Sequence, residues 1–127
     1  MNALTVLLAC LAGGCGAVLR FTIDAAVTRR VGGRLPWGTL TVNVSGALAL
    51  GVVTGIMPTL LALPAATVIA AGLLGGYTTF STACVQTAEL LASGRRAAAV
   101  VSAMGMLAAS ALAGGAGLVL GRALGSA

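Results

Sequence analysis

The feature that most constrains this 127-residue chain is the spacing of its charges. Seven Arg and two acidic residues are its only charged side chains, and they leave three uncharged stretches, 1–19, 35–88 and 97–121. Crossing the hydrocarbon core takes about 20 apolar residues, so the outer stretches fit one span each and the middle one fits two. The sequence predicts an all-α membrane protein, a single four-span domain over residues 1–127, expected to be a multi-pass protein of the cytoplasmic (inner) membrane.

The ionisable residues also narrow the possible functions. The chain contains no His and no Lys, and its acids, Asp24 and Glu89, lie near predicted span ends. Most hydrolytic and redox mechanisms need such groups at a site, so no enzyme activity is expected. The Arg residues sit at span ends, where the positive-inside rule puts them, so the net charge of +5 does not predict nucleic-acid binding. The expected partner of this surface is the lipid bilayer.

Glycine and proline set the approximate limits of the spans. The four predicted spans are 3–21, 38–57, 65–91 and 96–121. A polar connector is expected over 25–37, and Met57-Pro58 is expected to close the second span. The run Gly13-Gly14-Cys15-Gly16 and three small-xxx-small patterns are suited to tight contacts between helices. The three patterns are Gly51xxxGly55, Gly72xxxGly76 and Gly117xxxGly121.

The third predicted span carries Gly75-Gly76-Tyr77-Thr78-Thr79 in its middle. Ten helical residues before it rise about 15 Å, half the bilayer core, so a broken helix is expected near the midplane. Interrupted backbone is tolerated there where its free groups line a cavity, bind an ion or are buried in protein. Carbonyls around Gly75 and Thr78 could hold a cation, and the N–H groups that follow could face an anion. The alternative is a packing kink whose hydroxyls bond to the preceding turn.

Other polar side chains extend this pattern. Thr39 and Asn43 share one face of the second span, and the Asn43 amide can donate two hydrogen bonds to an anion or else join two helices. Phe80 has an electropositive ring edge that could attract an anion, although packing is its simpler role. Neutral donors without a mid-span ionisable group favour passive conduction of a small anion. The predicted path residues are Thr39, Asn43, Phe80, Ser81, Thr82 and Ser110.

Three segments carry a resemblance to a known family: GCGAVLRF at 14–21, WGTLTVN at 37–43 and GGYTTFST at 75–82. They resemble the small four-span fluoride channels called Fluc or CrcB proteins, and the last segment is highly specific. The resemblance covers most of the chain. It implies an antiparallel dual-topology dimer with two pores at the subunit interface, which exports fluoride passively and so lowers its toxicity in the cytoplasm.

The resemblance also implies the residues of two ion sites. One structural Na+ on the two-fold axis of the dimer would be held by the backbone carbonyls of Gly75 and Thr78 from both chains. Four carbonyl oxygens suit a hard cation. The fluoride path would be lined by Asn43, Phe80 and Ser110, with Arg20 at the vestibule.

This chain departs from the family pattern near the expected pore. Ala83 stands where the family has a second Phe, and Gln86 stands where a Glu is common. Ser102 and Met106 replace the Tyr and Ser that are usual on the pore face of the fourth span. The ion path is therefore expected to be wider or differently lined.

The distribution of Arg leaves the type of dimer open. Six Arg fall at one predicted membrane side and one at the other, whereas a dual-topology homodimer should show little bias. The bias favours, as an alternative, a heterodimer in which this chain is inactive alone and a homologous partner of opposite bias supplies the missing Phe. A small multidrug exporter would need a Glu in the middle of the first span, and this chain has none there. A non-conducting membrane partner remains a further alternative. The six are Arg20, Arg29, Arg30, Arg34, Arg95 and Arg96; the seventh is Arg122.

Overall fold

Four long apolar helical segments make up this protein. The computed structural model describes residues 2–126, apart from the side chain of residue 58. Each segment is long and apolar enough to cross a membrane, and no strand occurs within residues 2–126. The predicted all-α, four-span fold is confirmed, and the chain is a multi-pass membrane protein. The elements are α1 (Ala3–Val31), α2 (Trp37–Leu60), α3 (Leu63–Thr67), a π-helix (Val68–Leu74), α4 (Gly75–Tyr77), α5 (Ser81–Ala92) and α6 (Arg96–Gly125).

Helix α1 is longer than predicted. It ends at Val31 rather than near residue 21, because the first residue with a helix-breaking conformation is Gly32 at φ 88°. The Gly32 N–H bonds to the Thr28 carbonyl at 2.9 Å and closes the last turn. The connector predicted over 25–37 is therefore confined to residues 32–36. Arg20 consequently lies inside α1, about 16 Å before its last residue, rather than at its end.

The other helix ends shift less. Helix α2 continues past Met57 to Leu60, so the proline at 58 falls in its last turn instead of beyond its end. The third span occupies Leu63–Ala92, within two residues of the prediction at each end. Helix α6 continues to Gly125 rather than residue 121.

Glycines bring α1 against the third span. A Cβ on Gly16 would collide with the Leu73 carbonyl oxygen, and a Cβ on Gly76 would collide with the carbonyl of Gly13. A Cβ on Gly72 would lie 2.6 Å from the Ala9 carbonyl oxygen. Helices in lipid associate through close packing, which small residues permit. The close-contact role predicted for these glycines is confirmed.

A second glycine seam joins α2 to α6. A Cβ on Gly51 would collide with the Gly114 carbonyl oxygen, and one on Gly117 with the carbonyl of Leu48. Gly55 and Gly121 continue the contact, since a Cβ on Gly55 would lie 2.7 Å from the Gly121 Cα. All three small-xxx-small patterns therefore pack against a neighbouring backbone, as predicted.

Few side chains are fully buried in this fold. In the most apolar stretch of each span, at most 22% of the residues are buried inside the protein. Large apolar side chains cover the outside. A bilayer solvates such a surface, so a thick protein core is not required. The largest side chains that are almost fully buried, Val42 and Thr39, lie on α2. The rigid centre that positions the site is thus thin and is built around this helix.

Candidate functional site

The third span is interrupted at residues 78–80, the centre of Leu63–Ala92. Gly75 stays helical at φ −63° and ψ −37°, whereas Thr78 is extended at φ −78° and ψ 158°. The predicted mid-span break is therefore present, but it begins after the glycine pair. Gly76 provides room for α1 instead. Nothing in the sequence predicted the π-helix before the break, in which the Gly75 N–H bonds to the Ala70 carbonyl; π-helical turns are frequent at functional sites.

Asn43 holds the broken backbone directly. Its Nδ2 donates to the Thr79 carbonyl oxygen and its Oδ1 accepts from the Thr79 N–H, both at 2.8 Å. Nδ2 also lies 3.4 Å from Met106 Sδ, a weak acceptor. One amide hydrogen is therefore committed to Thr79, and Met106 Sδ faces the NH₂ group, while the role of Asn43 toward an anion stays a prediction. Of its two possible roles, Asn43 here joins α2 to the third span.

Two hydrogen bonds at the break release two backbone carbonyls. In a continuous helix the Thr79 N–H would bond to the Gly75 carbonyl, and the Thr82 N–H to that of Thr78. Instead the Thr79 N–H donates to Asn43, and the Thr82 N–H donates to the Thr79 hydroxyl at 3.2 Å. Gly75 and Thr78, the predicted cation ligands, are thus two residues whose carbonyls have lost their helical donors.

A groove of about 730 Å³ opens beside the break, between α2, α5 and α6. Asn43, Phe80 and Ser110 line it, together with Thr78 and Thr79, while most of the remaining lining is apolar. Phe80 is 83% exposed. The Ser110 hydroxyl oxygen is buried and has no partner among the described residues. Buried polar groups are normally paired, so this hydroxyl is available to a ligand that reaches it.

Three predicted path residues lie outside the groove lining. Thr39 is 1% exposed, and its hydroxyl has no partner within residues 2–126. Thr82 Oγ1 accepts a hydrogen bond from the Thr79 hydroxyl at 3.0 Å, and Ser81 Oγ lies 3.4 Å from that same hydroxyl. Thr39 is therefore a second unpaired hydroxyl, whereas Ser81 and Thr82 belong to the network that opens α5.

Arg20, the predicted vestibule residue, is half-buried on α1. Its guanidinium carbon lies 4.5 Å from the centre of the Phe21 ring, a cation–π distance. Its Nε is buried and has no partner among the described residues. Asp24 packs closely against Gly38 of α2. Arg20 thus keeps donors that are not used within the described chain.

Sequence reasoning missed two contacts that shape the break. The Thr79 hydroxyl redirects the Thr82 N–H, and Ser45 Oγ lies 2.9 Å from Tyr77 Oη, linking α2 to α4. Nothing in the sequence marks Thr79 or Ser45 apart from other hydroxyl-bearing residues. The Ser45–Tyr77 contact depends on which helices meet, whereas the Thr79–Thr82 contact is local, a hydroxyl that accepts from a backbone N–H three residues on at the start of α5.

Comparisons with known proteins find relatives over most of the chain. A family model described as CrcB-like protein, Camphor Resistance (CrcB), matches residues 7–122. The fluoride-specific ion channel FluC 1 of Rubrobacter xylanophilus is 44% identical over 97 residues, which are 76% of this chain and 77% of that protein. FluC 2 of Cutibacterium acnes is 41% identical over 120 residues, 93% of this chain and 98% of that protein. FluC 2 of Mycobacterium tuberculosis is 49% identical over 82 residues, 63% of this chain and 61% of that protein.

The matched range of the family model, residues 7–122, covers the second and third spans in full, most of the first and fourth spans, the break and every residue of the groove. The resemblance noted from the three sequence segments is confirmed by a match of this extent. This chain belongs to the CrcB family.

Proposed function

We propose that this protein is a fluoride-specific ion channel subunit that exports fluoride passively across the cytoplasmic membrane and so lowers fluoride toxicity. The similar proteins are named as fluoride-specific channels. The structural observation that best supports conduction is a helix broken at mid-span beside a groove whose polar lining is neutral. No carboxylate, Lys, Arg or His lines that groove. Coupling to protons normally uses such a group inside the membrane, so passive flow is the simpler mechanism.

The freed carbonyls of Gly75 and Thr78 support a structural Na+ site. The two oxygens are uncharged, hard donors that have lost their helical N–H partners, which is the donor type a hard cation takes. Two oxygens are too few for such an ion. A second chain, related by a two-fold axis in an antiparallel dimer, would supply two more. The proposed assembly is therefore a dual-topology dimer with Na+ on its axis.

The proposed fluoride path runs along the groove. Ser110 offers an unpaired hydroxyl donor in the groove, and the exposed Phe80 offers its ring edge. The unpaired hydroxyl of Thr39 lies outside the groove lining, one helical turn before Asn43, and would extend the path there. Asn43, which also lines the groove, positions the break and keeps a weakly occupied N–H near Met106. Arg20 would attract the anion at the vestibule through its unused donors. Ser81 and Thr82 would act through the hydroxyl network at the start of α5.

A heterodimer is the second candidate assembly. Ala83 lines the same groove as Phe80, so the missing aromatic ring widens the path where the family has a second Phe. Arg34 and Arg95 meet at one end of the molecule, at 2.8 Å between Arg95 Nη1 and the Arg34 carbonyl. This contact supports an excess of Arg at one end of the chain. A homologous chain inserted in the opposite orientation would carry its own excess at the other membrane side.

Flux from liposomes tests the function. Vesicles containing the purified chain should release fluoride and retain chloride, because the few neutral hydrogen-bond donors on the path bind the smaller, more basic anion more strongly. Ser110→Ala removes one unpaired donor and should lower fluoride flux, whereas Ser126→Ala, far from the groove, should not. Release of both anions would contradict a selective channel. No flux alone, with flux restored by a co-expressed homologue, would favour the heterodimer, and no flux with any partner would contradict the channel function.

A further inference from the structure

A second pocket, distinct from the groove, lies at the Arg-rich end of the molecule. It has a volume of about 290 Å³ and is formed where the 32–36 connector meets the end of α5. Arg95 Nη1 donates to the Arg34 carbonyl oxygen at 2.8 Å and ties the two connectors together. The polar residues of the lining are Thr28, Arg34, Gln86, Glu89, Ser93 and Arg95.

This pocket carries both signs of charge and an unused acceptor. Glu89 makes no ion pair or hydrogen bond with any described residue through its carboxylate. Gln86 Oε1 is buried and accepts no hydrogen bond. Arg95 has five N–H donors and uses one of them on Arg34. An anionic acceptor, a neutral acceptor and guanidinium donors therefore line one small cavity.

A simple ion would satisfy only part of this lining. An anion would meet Glu89, and a metal cation would meet the two Arg residues. We propose that the pocket binds the phosphoethanolamine group, a zwitterion with an ammonium and a phosphate on a short linker. The ammonium would donate to Glu89 and Gln86, and the phosphate would accept from Arg34 and Arg95, because guanidinium groups match phosphate oxygens well.

The position of the pocket supports a membrane source for this ligand. It lies where α1 ends and α6 begins, so it opens at the end of the spans, the depth of the lipid headgroups. Basic pockets between spans at a membrane surface commonly hold headgroups. Phosphatidylethanolamine would present the required group there. Soluble glycerophosphoethanolamine carries the same chemistry and is the alternative source.

Lipid retention tests the proposal without any measurement of ion flux. The full-length protein is exposed to phosphatidylethanolamine, phosphatidylcholine or phosphatidylglycerol with identical acyl chains, and bound lipid is counted by native mass spectrometry. The ethanolamine lipid should be retained about tenfold better than the other two, because choline has no N–H donor and glycerol has no cation. Equal retention of the three lipids would overturn the proposal.

Variants and a soluble probe sharpen this test. Glu89→Gln should bring the retention of the ethanolamine and glycerol lipids close together, whereas Asp24→Asn, which makes the same change at the other acid outside this pocket, should leave the preference unchanged. An unchanged preference in Glu89→Gln would overturn the proposal. Binding of glycerophosphoethanolamine to lipid-free protein would identify the soluble group as a sufficient ligand, and competition by the intact lipid alone would identify the bilayer as the source.

Discussion

Asn43 matches the peptide group of Thr79 with one donor and one acceptor, as a neighbouring strand would. An amide can do this because its oxygen and its NH₂ group are side by side. The two bonds at 2.8 Å satisfy backbone groups that would otherwise be unpaired inside the membrane. Leaving such a group unpaired costs about 1–3 kcal/mol. This single side chain therefore lowers the free-energy cost of breaking the helix in hydrocarbon.

The first prediction concerns Asn43→Asp. Aspartate keeps an acceptor for the Thr79 N–H but turns an oxygen toward the Thr79 carbonyl, and it also places an anion beside the proposed anion path. We expect fluoride flux to fall sharply and the free energy of unfolding to drop by about 1–3 kcal/mol. Liposome flux and thermal unfolding in detergent measure the two effects.

Met106→Leu is the matched control for that variant, because it removes only the 3.4 Å sulfur contact and conserves volume. It should change unfolding by less than about 1.5 kcal/mol. Wild-type flux and stability in Asn43→Asp would show that the amide neither supports the break nor borders the path.

The second prediction concerns the hydroxyl of Thr79, which draws the Thr82 N–H away from the Thr78 carbonyl. Thr79→Val keeps the shape but removes the hydroxyl, so the N–H can return to Thr78 and compete with a bound cation. For the proposed dimer with Na+ on its axis, we expect Thr79→Val to remove the Na+ dependence of dimer formation and Thr79→Ser to keep it. Size-exclusion chromatography in NaCl and in the chloride salt of a large organic cation measures this, and identical Na+ dependence in both variants would count against the mechanism.

At the scale of helices, glycine positions decide which backbones touch. Gly16 and Gly14 lie two residues apart on α1, yet only Gly16 faces the third span. The close contact between α1 and the third span also sets the position of α4 along the α1 axis, and therefore the depth at which the break begins. Helix packing in this protein is therefore controlled by residues without side chains, because lipid removes the hydrophobic drive that would bring larger surfaces together.

The third prediction compares Gly16→Ala with Gly14→Ala. A methyl group on Gly16 would collide with the Leu73 carbonyl, and overpacking of this kind costs about 1–3 kcal/mol. The methyl group on Gly14 meets open space, and Ala favours a helix over Gly by about 0.5–1 kcal/mol. Thermal unfolding of the two variants should shift in opposite directions. Equal shifts would contradict the packing of α1 against the third span.

For the molecule as a whole, the arrangement of Arg residues matters more than their number. The contact between Arg95 and Arg34 places the two Arg-bearing connectors, 32–36 and 93–95, at one end of the molecule. The backbone of Arg122 packs against Gly55 near the opposite end, where α2 ends. Positive residues in short connectors hold those connectors in the cytoplasm. This arrangement favours one orientation for the chain.

The fourth prediction is that this chain inserts with its Arg-rich connectors in the cytoplasm. In a background without the native cysteines, Ser126→Cys should react with a membrane-impermeant maleimide on intact cells, and Gly33→Cys should react only after permeabilisation. Expression with and without a homologous chain then shows whether a second orientation must come from a partner. Equal labelling of both sites on intact cells would establish dual topology and remove the case for the heterodimer.

The sequence by itself determined the number of spans, the break in the third span and the seams of small residues. Hydrocarbon excludes charge and demands a fixed length of apolar chain, so these features are local and can be read from charge spacing and glycine pattern. The end of α1 and the level of the break were placed less well, because glycine and polar residues do not by themselves stop a helix.

Only the tertiary structure decided how the site is built. Asn43 and Thr79 are far apart in the chain, and their pairing takes the Thr79 N–H away from the Gly75 carbonyl. The same is true of the polar pocket, where the connector at 32–36 meets the end of α5. A hydrogen bond needs two groups at one place, and the sequence lists the groups while packing of the helices decides which of them meet.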